Sequence, residues 1–505
     1  MSELTEIVKA NDIRGLVGEQ LNDRVARAFG SAFARAVLIS DPDGPPGRVI
    51  LGHDMRDSSP ELVEAFAEGV TGEGADVVLI GLCSTDGLYY ASGALNAPGV
   101  MFTASHNPSS WNGMKLCRSG ARPIGLDSGL GTIRDLAQAL LDHPVWGTAA
   151  APPPVVRGTI TAQDTLTGYA QHLRGLAPLP TQRTIKVVVD AGNGMAGLTV
   201  PAVLGTAIGL PDLPLEIVPL YFELDGSFPN HEANPLDPVN LLDLQKAVPA
   251  HGADLGLAFD GDADRCFVVD ERGEPISPSA ITALVAAREI AKERAAGRSA
   301  TVIHNLITSR TVAEVIKENG AKAIRTRVGH SFIKVEMAKA DAVFGGEHSA
   351  HYYFRDFWFA DTGMLAALHV LAALGEQSGP LSDLVAEYER YTASGEINSK
   401  VDDVDEATAR VAAAFADRPG VVVDDLDGLT VTHEADAPHS DADSTESEDS
   451  TTASEGLWWF NLRPSNTEAL LRLNAEASDP AVMVRIRDEV LGLVRVAALA
   501  TDAPG

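Results

Sequence analysis

Three aspartates lie within five residues of one another in the segment DLGLAFDGDADRCFVVD, at positions 254–270. They are Asp260, Asp262 and Asp264, with apolar, strand-like residues on both sides and Gly261 allowing a tight turn between the first two. Carboxylates this close repel one another strongly unless a cation lies among them. Hard oxygen ligands suit Mg²⁺ or Mn²⁺, or Ca²⁺ where more ligands join. The spacing therefore predicts a divalent-metal site.

Two other interpretations of this cluster are weaker. An EF-hand loop would place Glu271 at its twelfth position, but its sixth position, where a glycine makes the sharp turn, is Arg265. The flanking residues also predict strands rather than helices. A solvated acidic turn does not explain why buried strands would enclose the cluster. Three aspartates leave octahedral Mg²⁺ with open positions, which waters or a phosphate oxygen commonly fill.

Ser105 is the candidate to carry that phosphate. It lies in MFTASHNPSSWNGMK, residues 101–115, where an apolar strand runs into small polar residues and ends in a lysine. Serine in a loop is usually a turn former or a helix cap. The metal cluster and the motifs further along the chain favour a chemical role instead.

The length and amino-acid composition of the chain limit the classes of protein to which it can belong. The 505 residues suggest three or four domains at about 100–200 residues each. Acids outnumber bases 70 to 39, a formal charge of −31, which argues against nucleic acid or an anionic membrane as partner. A phosphorylated substrate remains compatible if the basic residues gather in one cleft. Three cysteines, an acidic N-terminal segment and no apolar run of about 20 residues predict a cytoplasmic protein.

The elements that position these residues repeat three times. Residues 48–81 predict a strand, a helix capped by Ser58 or Ser59, and a second strand. The same order returns at 184–220 and at 300–328, where Val312, Val315 and Ile316 form an apolar helix face. We therefore expect an α/β protein of three similar mixed-sheet domains plus a smaller α+β C-terminal domain around a central cleft.

Proline-rich and polar stretches predict the domain boundaries. We expect domains over 1–152, 153–273, 274–388 and 389–505, with a proline hinge at 151–156. Residues 433–455 contain Ser, Thr, Asp and Glu without apolar periodicity, so we expect a mobile acidic insertion in a hairpin of the last domain.

These residues resemble the α-D-phosphohexomutase family, the phosphomannomutases and phosphoglucomutases of the phosphoserine type. Four motifs in family order carry the resemblance: TASHNP at 103–108, DGDADR at 260–265, GEHSAH at 346–351 and RPSNTE at 463–468. Further matches are DIRG at 12–15, DGSFPNHEANPL at 225–236 and RVGHSFIK at 327–334. The resemblance covers nearly the whole chain and implies four domains around a central cleft.

The resemblance also implies roles for individual residues. Ser105 would carry a phosphoryl group that contacts one Mg²⁺ held by Asp260, Asp262 and Asp264. Lys115 would be the general base or acid, with Arg265 and other cations lowering its pKa if it acts as a base. Weaker candidates for acid–base or charge support are Arg14, His106 and His330. The substrate-binding set would comprise Arg265, Glu347, Ser349 and His351 around the sugar, and Arg463, Ser465, Asn466 and Thr467 around its distal phosphate.

The implied reaction moves a phosphate between O6 and O1 of a hexose through a hexose 1,6-bisphosphate, which also serves as activator. The predicted activity is phosphomannomutase. Alternatives are phosphoglucomutase, whether dual or glucose-preferring, and phosphoglucosamine mutase. The expected partners are hexose phosphates, without nucleic acid or membrane, and the expected state is a monomer or homodimer.

Two rival functions belong to other classes. A metal-dependent phosphatase would use an aspartate of DGDAD as its nucleophile and would not need Ser105 or RPSNT. A divalent-cation-binding protein built on DGDADRCFVVDE would need neither a sugar loop nor a phosphate cradle.

Overall fold

The computed structural model describes residues 4–38, 47–143, 156–434, 456–464 and 470–495, except for the side chains of His330 and Ser331. Residues 151–155 of the predicted proline hinge, the bulk of the acidic insertion and residues 465–468 of the RPSNTE motif lie outside the described residues. The described strands form four sheets, each with its own helices.

The first sheet has the strand order β1-β5-β4-β2-β3-β7, with β6 paired to β5. Its unit comprises β1 (Ile13–Leu16), α1 (Asp23–Phe33), β2 (Arg48–His53), α2 (Ser59–Gly72), β3 (Asp76–Leu82), α3 (Thr85–Leu95), β4 (Gly99–Phe102), β5 (Trp111–Arg118), β6 (Arg122–Pro123), α4 (Leu130–Asp142) and β7 (Ile160–Ala162).

The second sheet has the order β12-β11-β10-β8-β9 and the third has β14-β13-β15-β16-β17. The second unit comprises α5 (Leu166–Leu176), β8 (Ile185–Asp190), α6 (Ala196–Val203), β9 (Leu215–Leu220), α7 (Leu242–His251), β10 (Leu255–Phe259), β11 (Cys266–Asp270) and β12 (Pro275–Ile276). The third comprises α8 (Pro278–Ala295), β13 (Thr301–Asn305), α9 (Arg310–Glu318), β14 (Lys322–Thr326), α10 (His330–Ala340), β15 (Phe344–Gly346), β16 (Tyr352–Phe354), β17 (Ala360–Asp361), α11 (Gly363–Gly375) and α12 (Leu381–Val385).

The last sheet is antiparallel, in the order β18-β22-β21-β20-β19. Its unit comprises β18 (Thr392–Lys400), α13 (Val404–Phe415), β19 (Val421–Asp424), β20 (Leu429–His433), β21 (Trp458–Pro464), β22 (Leu470–Ala477) and α14 (Pro480–Arg495). Because β20 and β21 are antiparallel neighbours, the acidic segment between them connects two strands of a hairpin. The prediction of three mixed-sheet α/β units and a smaller α+β unit is confirmed.

The first three sheets share one strand arrangement. Three parallel strands stand side by side, and the third in chain order is followed by an antiparallel return strand: β4 by β5, β10 by β11, and β15 by β16. The carboxyl end of the third strand therefore leads into a loop at an equivalent place in each unit. Those three loops contain Ser105, the aspartate cluster and the predicted sugar loop.

Helix α2 shows how the sequence pattern becomes packing. Leu62, Phe66 and Val70 recur at helical spacing and are buried. The Phe66 ring packs edge to face against the Phe102 ring of β4, with 5.5 Å between the ring centroids. The expected serine cap is not made. Ser58 occupies the N-cap position without a capping hydrogen bond, and Ser59 instead donates to Asp54. Pairing with a buried carboxylate competes with capping for that hydroxyl.

The apolar core is divided unevenly among the units. One cluster of buried residues runs without interruption through the second and third units, whereas the first and last units each have a core of their own. Two edge strands lie just past expected boundaries, because β7 joins the first sheet and β12 the second. No helix among the described residues has both the length and the apolarity that a membrane span requires.

Candidate active site

Ser105 of the first unit and Asp260 of the second unit are in direct contact. The Ser105 hydroxyl donates to Asp260 Oδ2 at 3.0 Å, and both residues are buried. Ser105 has a φ of 51°, in the left-handed region that few residues other than glycine adopt. Strained backbone of this kind is retained where the surroundings enforce it, as at catalytic loops.

Arg56 holds the serine loop in that conformation. Its guanidinium donates to the carbonyl oxygens of Ser105, Asn107, Pro108 and Trp111 at 2.7–3.0 Å. Its Nε donates to Asp54 Oδ2 at 3.1 Å, and both side chains are almost fully buried. A buried guanidinium needs a partner for each donor, and this one is satisfied by the loop itself. Sequence reasoning missed Arg56, although its position just after β2 puts it at the same sheet edge as the loop.

The three aspartates form a cage with two unsatisfied oxygens. Carboxylate oxygens of Asp260, Asp262 and Asp264 lie within 4.8 Å of one another, and all three residues are buried. The Oδ1 atoms of Asp262 and Asp264 are buried without a hydrogen-bond partner among the described residues. Because an orphaned buried carboxylate oxygen is costly, this donor set fits a hard divalent cation such as Mg²⁺.

The cage loop approaches the serine loop very closely. A Cβ on Gly261 would lie 2.5 Å from the Ser105 carbonyl oxygen, so only glycine fits there. We expected this glycine to allow the tight turn, but the left-handed residue of the loop is Ala263, with a φ of 59°. Gly261 thus serves the contact between the two units rather than the turn.

Lys115 from β5 lies against the cage. Its Nζ donates to Asp262 Oδ2 at 2.7 Å and to Asp264 Oδ2 at 2.5 Å. Burial alone would lower the pKa of Lys115, but the charges of Asp262 and Asp264 outweigh burial and raise it. We expected neighbouring cations to lower the pKa of Lys115. It is raised instead, because the two carboxylates lie closer to its ammonium group.

Arg265 connects the cage to His106. Its Nε donates to Asp260 Oδ2 at 3.0 Å and its Nη2 lies 2.8 Å from His106 Nδ1. Since an arginine is always a donor, His106 Nδ1 must accept, and the imidazole carries its proton on Nε2. Burial and the charges of Arg265 and Arg14 hold the pKa of His106 well below its usual value. The Ser105 hydroxyl lies 3.2 Å from the same Nδ1.

Arg14 also reaches the serine loop. It lies on β1, next to β5 in the sheet, and donates to Asp12 Oδ2 at 2.9 Å and to Asn107 Oδ1 at 2.5 Å. It therefore brings a guanidinium group to the serine loop, through Asn107.

The start of α3 holds the cage from the other side. The Thr85 hydroxyl donates to Asp262 Oδ2 at 2.6 Å, and the Thr85 amide donates to the Asp262 carbonyl. The adjacent Asp86 accepts from Ser84 and, at 2.7 Å, from the hydroxyls of Tyr169 and Thr362. Burial raises the pKa of Asp86 to about 6. Asp86 thus connects three units beneath the cage. The sequence analysis predicted a role for neither Thr85 nor Asp86.

The sugar loop adjoins the cage through His351. Its Nε2 lies 3.8 Å from Asp264 Oδ1, its Nδ1 lies 3.0 Å from Ser349 Oγ, and its backbone forms a bridge with Arg265. Glu347 is buried and accepts from Asn305, the Gly329 amide and Tyr353. These hydrogen bonds orient the Glu347 carboxylate beside His351, where Glu347 Oε2 lies 3.8 Å from His351 Nδ1.

The predicted phosphate cradle is described only in part. Arg463 is the second-last residue of β21 and donates to Glu396 Oε2 of β18 at 3.0 Å. Ser465, Asn466 and Thr467 lie outside the described residues. His330 begins α10, and its side chain is likewise outside them. The strands on either side of the cradle, β21 and β22, pair with each other in antiparallel fashion.

Family models match the chain in all four units. The description "Phosphoglucomutase/phosphomannomutase, alpha/beta/alpha domain" I, II and III matches residues 5–139, 167–273 and 278–391. The C-terminal domain of the same family matches residues 396–493.

Relatives cover nearly the full length of the chain. It is 41% identical over 491 residues to a protein named "Phosphohexose mutases" from Xanthomonas campestris, which covers 96% of this chain and 98% of that one. It is 37% identical over 493 residues to a phosphomannomutase from Escherichia coli, with coverages of 97% and 99%.

The fold is also similar to that of a solved structure from the same family. The phosphoglucomutase/phosphomannomutase family protein from Burkholderia thailandensis matches with a TM-score of 0.79 and 27% identity, covering 99% of this chain and 98% of that one. The resemblance predicted from the four motifs is confirmed. With all four domains matched and relatives above 35% identity along its length, the chain belongs to the phosphoglucomutase/phosphomannomutase family.

Proposed function

We propose that the protein is a phosphomannomutase that interconverts mannose 6-phosphate and mannose 1-phosphate. The observation that carries the proposal is the 3.0 Å contact between Ser105 Oγ and Asp260 Oδ2, which joins a potential phosphate carrier to a metal cage across two units. The relatives named phosphomannomutase, at 35–38% identity, support mannose over glucose.

In this proposal Ser105 carries a phosphoryl group. Mg²⁺ on Asp260, Asp262 and Asp264, when bound, would offset the negative charge of the phosphoserine and polarise the bond to be broken. The O6 hydroxyl of mannose 6-phosphate is already esterified, so its free O1 hydroxyl attacks phosphorus. The new P–O1 bond forms as the P–Oγ bond of Ser105 breaks, and the product is mannose 1,6-bisphosphate.

The attacking hydroxyl loses one proton and Ser105 Oγ gains one, so the step is balanced. Lys115 is our candidate for the proton transfer, because it lies against the cage and close to the serine loop in sequence. Its ammonium group would donate a proton to the departing Ser105 oxygen, and the amine so formed would accept the proton of the attacking O1 hydroxyl. Arg14 and Arg265 add positive charge around the transferring group.

The intermediate then turns over and returns its C6 phosphate to Ser105, which leaves mannose 1-phosphate. Both orientations require a site that binds hydroxyls on either side of the ring. We assign Glu347, Ser349 and His351 to that role, and Arg463 with residues 465–467 to the distal phosphate. We further propose that the protein acts in the cytoplasm on hexose monophosphates, with hexose 1,6-bisphosphate as activator.

Side-by-side assays test the proposal. Mannose 1-phosphate, glucose 1-phosphate and glucosamine 1-phosphate are each supplied with Mg²⁺ and the matching bisphosphate, and the 6-phosphate product is measured. The proposal predicts the highest kcat/KM for mannose 1-phosphate and no isomerisation by Ser105→Ala. A higher kcat/KM for glucose 1-phosphate would make the protein a phosphoglucomutase. Release of inorganic phosphate without an isomer would make it a phosphatase.

A further inference from the structure

The aspartate cage adjoins a second cluster of metal-binding groups. Asp264, His351 and Asp361 each offer one ligand atom, and these atoms lie within 4.8 Å of one another. Asp264 comes from the cage loop of the second unit, whereas His351 and Asp361 come from the sugar loop and β17 of the third. Asp264 therefore belongs to both clusters. We call Asp264, His351 and Asp361 the imidazole cluster.

His351 presents a nitrogen lone pair to the cage side of this cluster. Its Nδ1 lies 3.0 Å from Ser349 Oγ and 3.8 Å from Glu347 Oε2, and two oxygens on that side favour the proton on Nδ1. Nε2 is then an acceptor, and it lies 3.8 Å from Asp264 Oδ1, too far for a hydrogen bond. Histidines that bind metals are held in this way, with the second ring nitrogen bonded to an oxygen.

The oxygen that faces Nε2 has no proton donor. Asp264 is 1% exposed, and its Oδ1 is buried without a hydrogen-bond partner among the described residues. Lys115 binds the other oxygen, Oδ2, at 2.5 Å. A buried acceptor that is left unsatisfied costs about 1–3 kcal/mol. A cation between Oδ1 and the imidazole nitrogen would satisfy both acceptors at once.

Asp361 completes the cluster while it remains paired. The Nζ of Lys334 lies 2.5 Å from Asp361 Oδ1, and both side chains are buried. An ionised carboxylate offers about four lone-pair sites, so Asp361 can bind the ammonium group and a metal ion together. Because Lys334 fixes the carboxylate from one side, Asp361 is held in place as a ligand before any ion arrives.

The donor set of the imidazole cluster selects a different ion from the cage. One imidazole nitrogen with two carboxylate oxygens suits Zn²⁺, whereas the three carboxylates of the cage suit Mg²⁺. Ligand atoms of a tetrahedral zinc site lie about 3.3–3.5 Å apart, so Nε2 and Asp264 Oδ1 have to close by roughly half an ångström. The His351 side chain is 21% exposed, which leaves the fourth position of the ion open to the cleft.

We propose that Asp264, His351 and Asp361 bind Zn²⁺ at a site separate from the magnesium cage. The two ions share the Asp264 carboxylate, as in two-metal sites whose ions lie about 3.5–4 Å apart. Zn²⁺ at this site competes with hexose phosphate, because it occupies the His351 nitrogen that faces the cleft. That competition rests on the proposed function, whereas the binding of Zn²⁺ does not.

Isothermal titration of the full chain with Zn²⁺, in buffer with saturating Mg²⁺, tests the proposal. We expect one Zn²⁺ per chain and a dissociation constant that rises by about a hundredfold or more in His351→Gln and in Asp361→Asn. The control His251→Gln removes an exposed histidine of α7 and should bind Zn²⁺ as the wild type does. X-ray absorption of the bound zinc should show an imidazole ligand, a measurement that needs no variant. Ser105→Ala should also bind Zn²⁺, so the result does not depend on the proposed mutase activity.

Three outcomes would overturn the proposal. The first is the absence of Zn²⁺ binding at submillimolar concentration. The second is complete displacement of Zn²⁺ by Mg²⁺, or a zinc spectrum with oxygen ligands alone, either of which would place the ion in the cage. The third is unchanged Zn²⁺ affinity in His351→Gln and Asp361→Asn while their melting temperatures match the wild type.

Discussion

Thr85 of the first unit donates a 2.6 Å hydrogen bond to Asp262 of the second, 177 residues along the chain. The same threonine also donates its amide to the Asp262 carbonyl, so both the side chain and the backbone of the aspartate are fixed. The cage is thus shaped by a residue that binds no ion itself. Partners of this kind orient metal ligands and tune their affinity.

Replacing Thr85 should weaken metal binding without removing it. In Thr85→Val the side-chain shape is kept and the donor is lost, so we expect Mn²⁺ affinity to fall about 10–100-fold. Electron paramagnetic resonance of free Mn²⁺ measures this directly. Thr85→Ser keeps the hydroxyl and should restore most of the affinity; equal losses in both variants would show that the hydroxyl is not the cause.

Loss of a cage carboxylate should abolish metal-dependent activity. Asp262→Asn removes one charge and leaves Lys115 with a single carboxylate partner, Asp264. We expect turnover to fall by roughly a thousandfold or more, since charge stabilisation of the transferring phosphoryl group is the main catalytic term. Treating the wild type with a chelator should have the same effect, reversed by Mg²⁺. Undiminished turnover in the chelator would contradict the metal's role.

Removing Arg56 should disorganise the serine loop and destabilise the fold. Arg56→Gln leaves four carbonyls without their donor and the buried Asp54 carboxylate without its charge partner, at a cost of about 3–5 kcal/mol in the free energy of unfolding. Urea unfolding measures this cost. Arg27→Gln, which breaks an exposed pair with Glu68, should cost less than about 1 kcal/mol. Similar values for the two variants would show that Arg56 is not a structural clamp.

Asp86 should make stability depend on pH between about 4 and 6. Burial raises its pKa to about 6, so the folded state binds the Asp86 proton more tightly than the unfolded state does. The favourable contribution of Asp86 to the free energy of unfolding is complete below its pKa in the unfolded state. The contribution is lost as pH rises through its pKa in the folded state, by up to about 3 kcal/mol.

Asp86→Asn removes that titration. The free energy of unfolding of the wild type minus that of the variant should therefore fall between pH 4 and pH 7. Urea titrations at several pH values measure the difference. A difference that stays constant, or that grows with pH, would show that Asp86 does not titrate in this window.

The sequence predicted those parts of the site that are local in the chain. Asp260, Asp262 and Asp264 lie within one turn, and Ser105 follows a clear apolar strand, so their residue types and spacing indicate their chemistry. The βαβ repeats predicted the sheets, because apolar periodicity records burial directly. In each of the first three units the third parallel strand leads into an equivalent loop, which explains why the serine loop, the aspartate cage and the sugar loop lie together.

The supporting residues could not be predicted in this way. Arg56 binds four backbone carbonyls, which leave no mark on the sequence of the loop that it holds. Thr85 and Asp86 look like an ordinary helix start, and their partners come from other units. The raised pKa of Lys115 depends on which charges lie nearest, a distance that the sequence does not contain.

The most direct test of the account is the fate of the phosphoryl group on Ser105. Intact-mass measurement should show a species about 80 Da heavier than the chain, absent from Ser105→Ala and mapped to the peptide that contains Ser105. When the Ser105 phosphate carries an isotopic label, adding mannose 6-phosphate should move the label to O1 of mannose 1-phosphate, while the unlabelled C6 phosphate returns to Ser105. Unmodified Ser105 in active protein, or loss of the group as inorganic phosphate alone, would contradict the account.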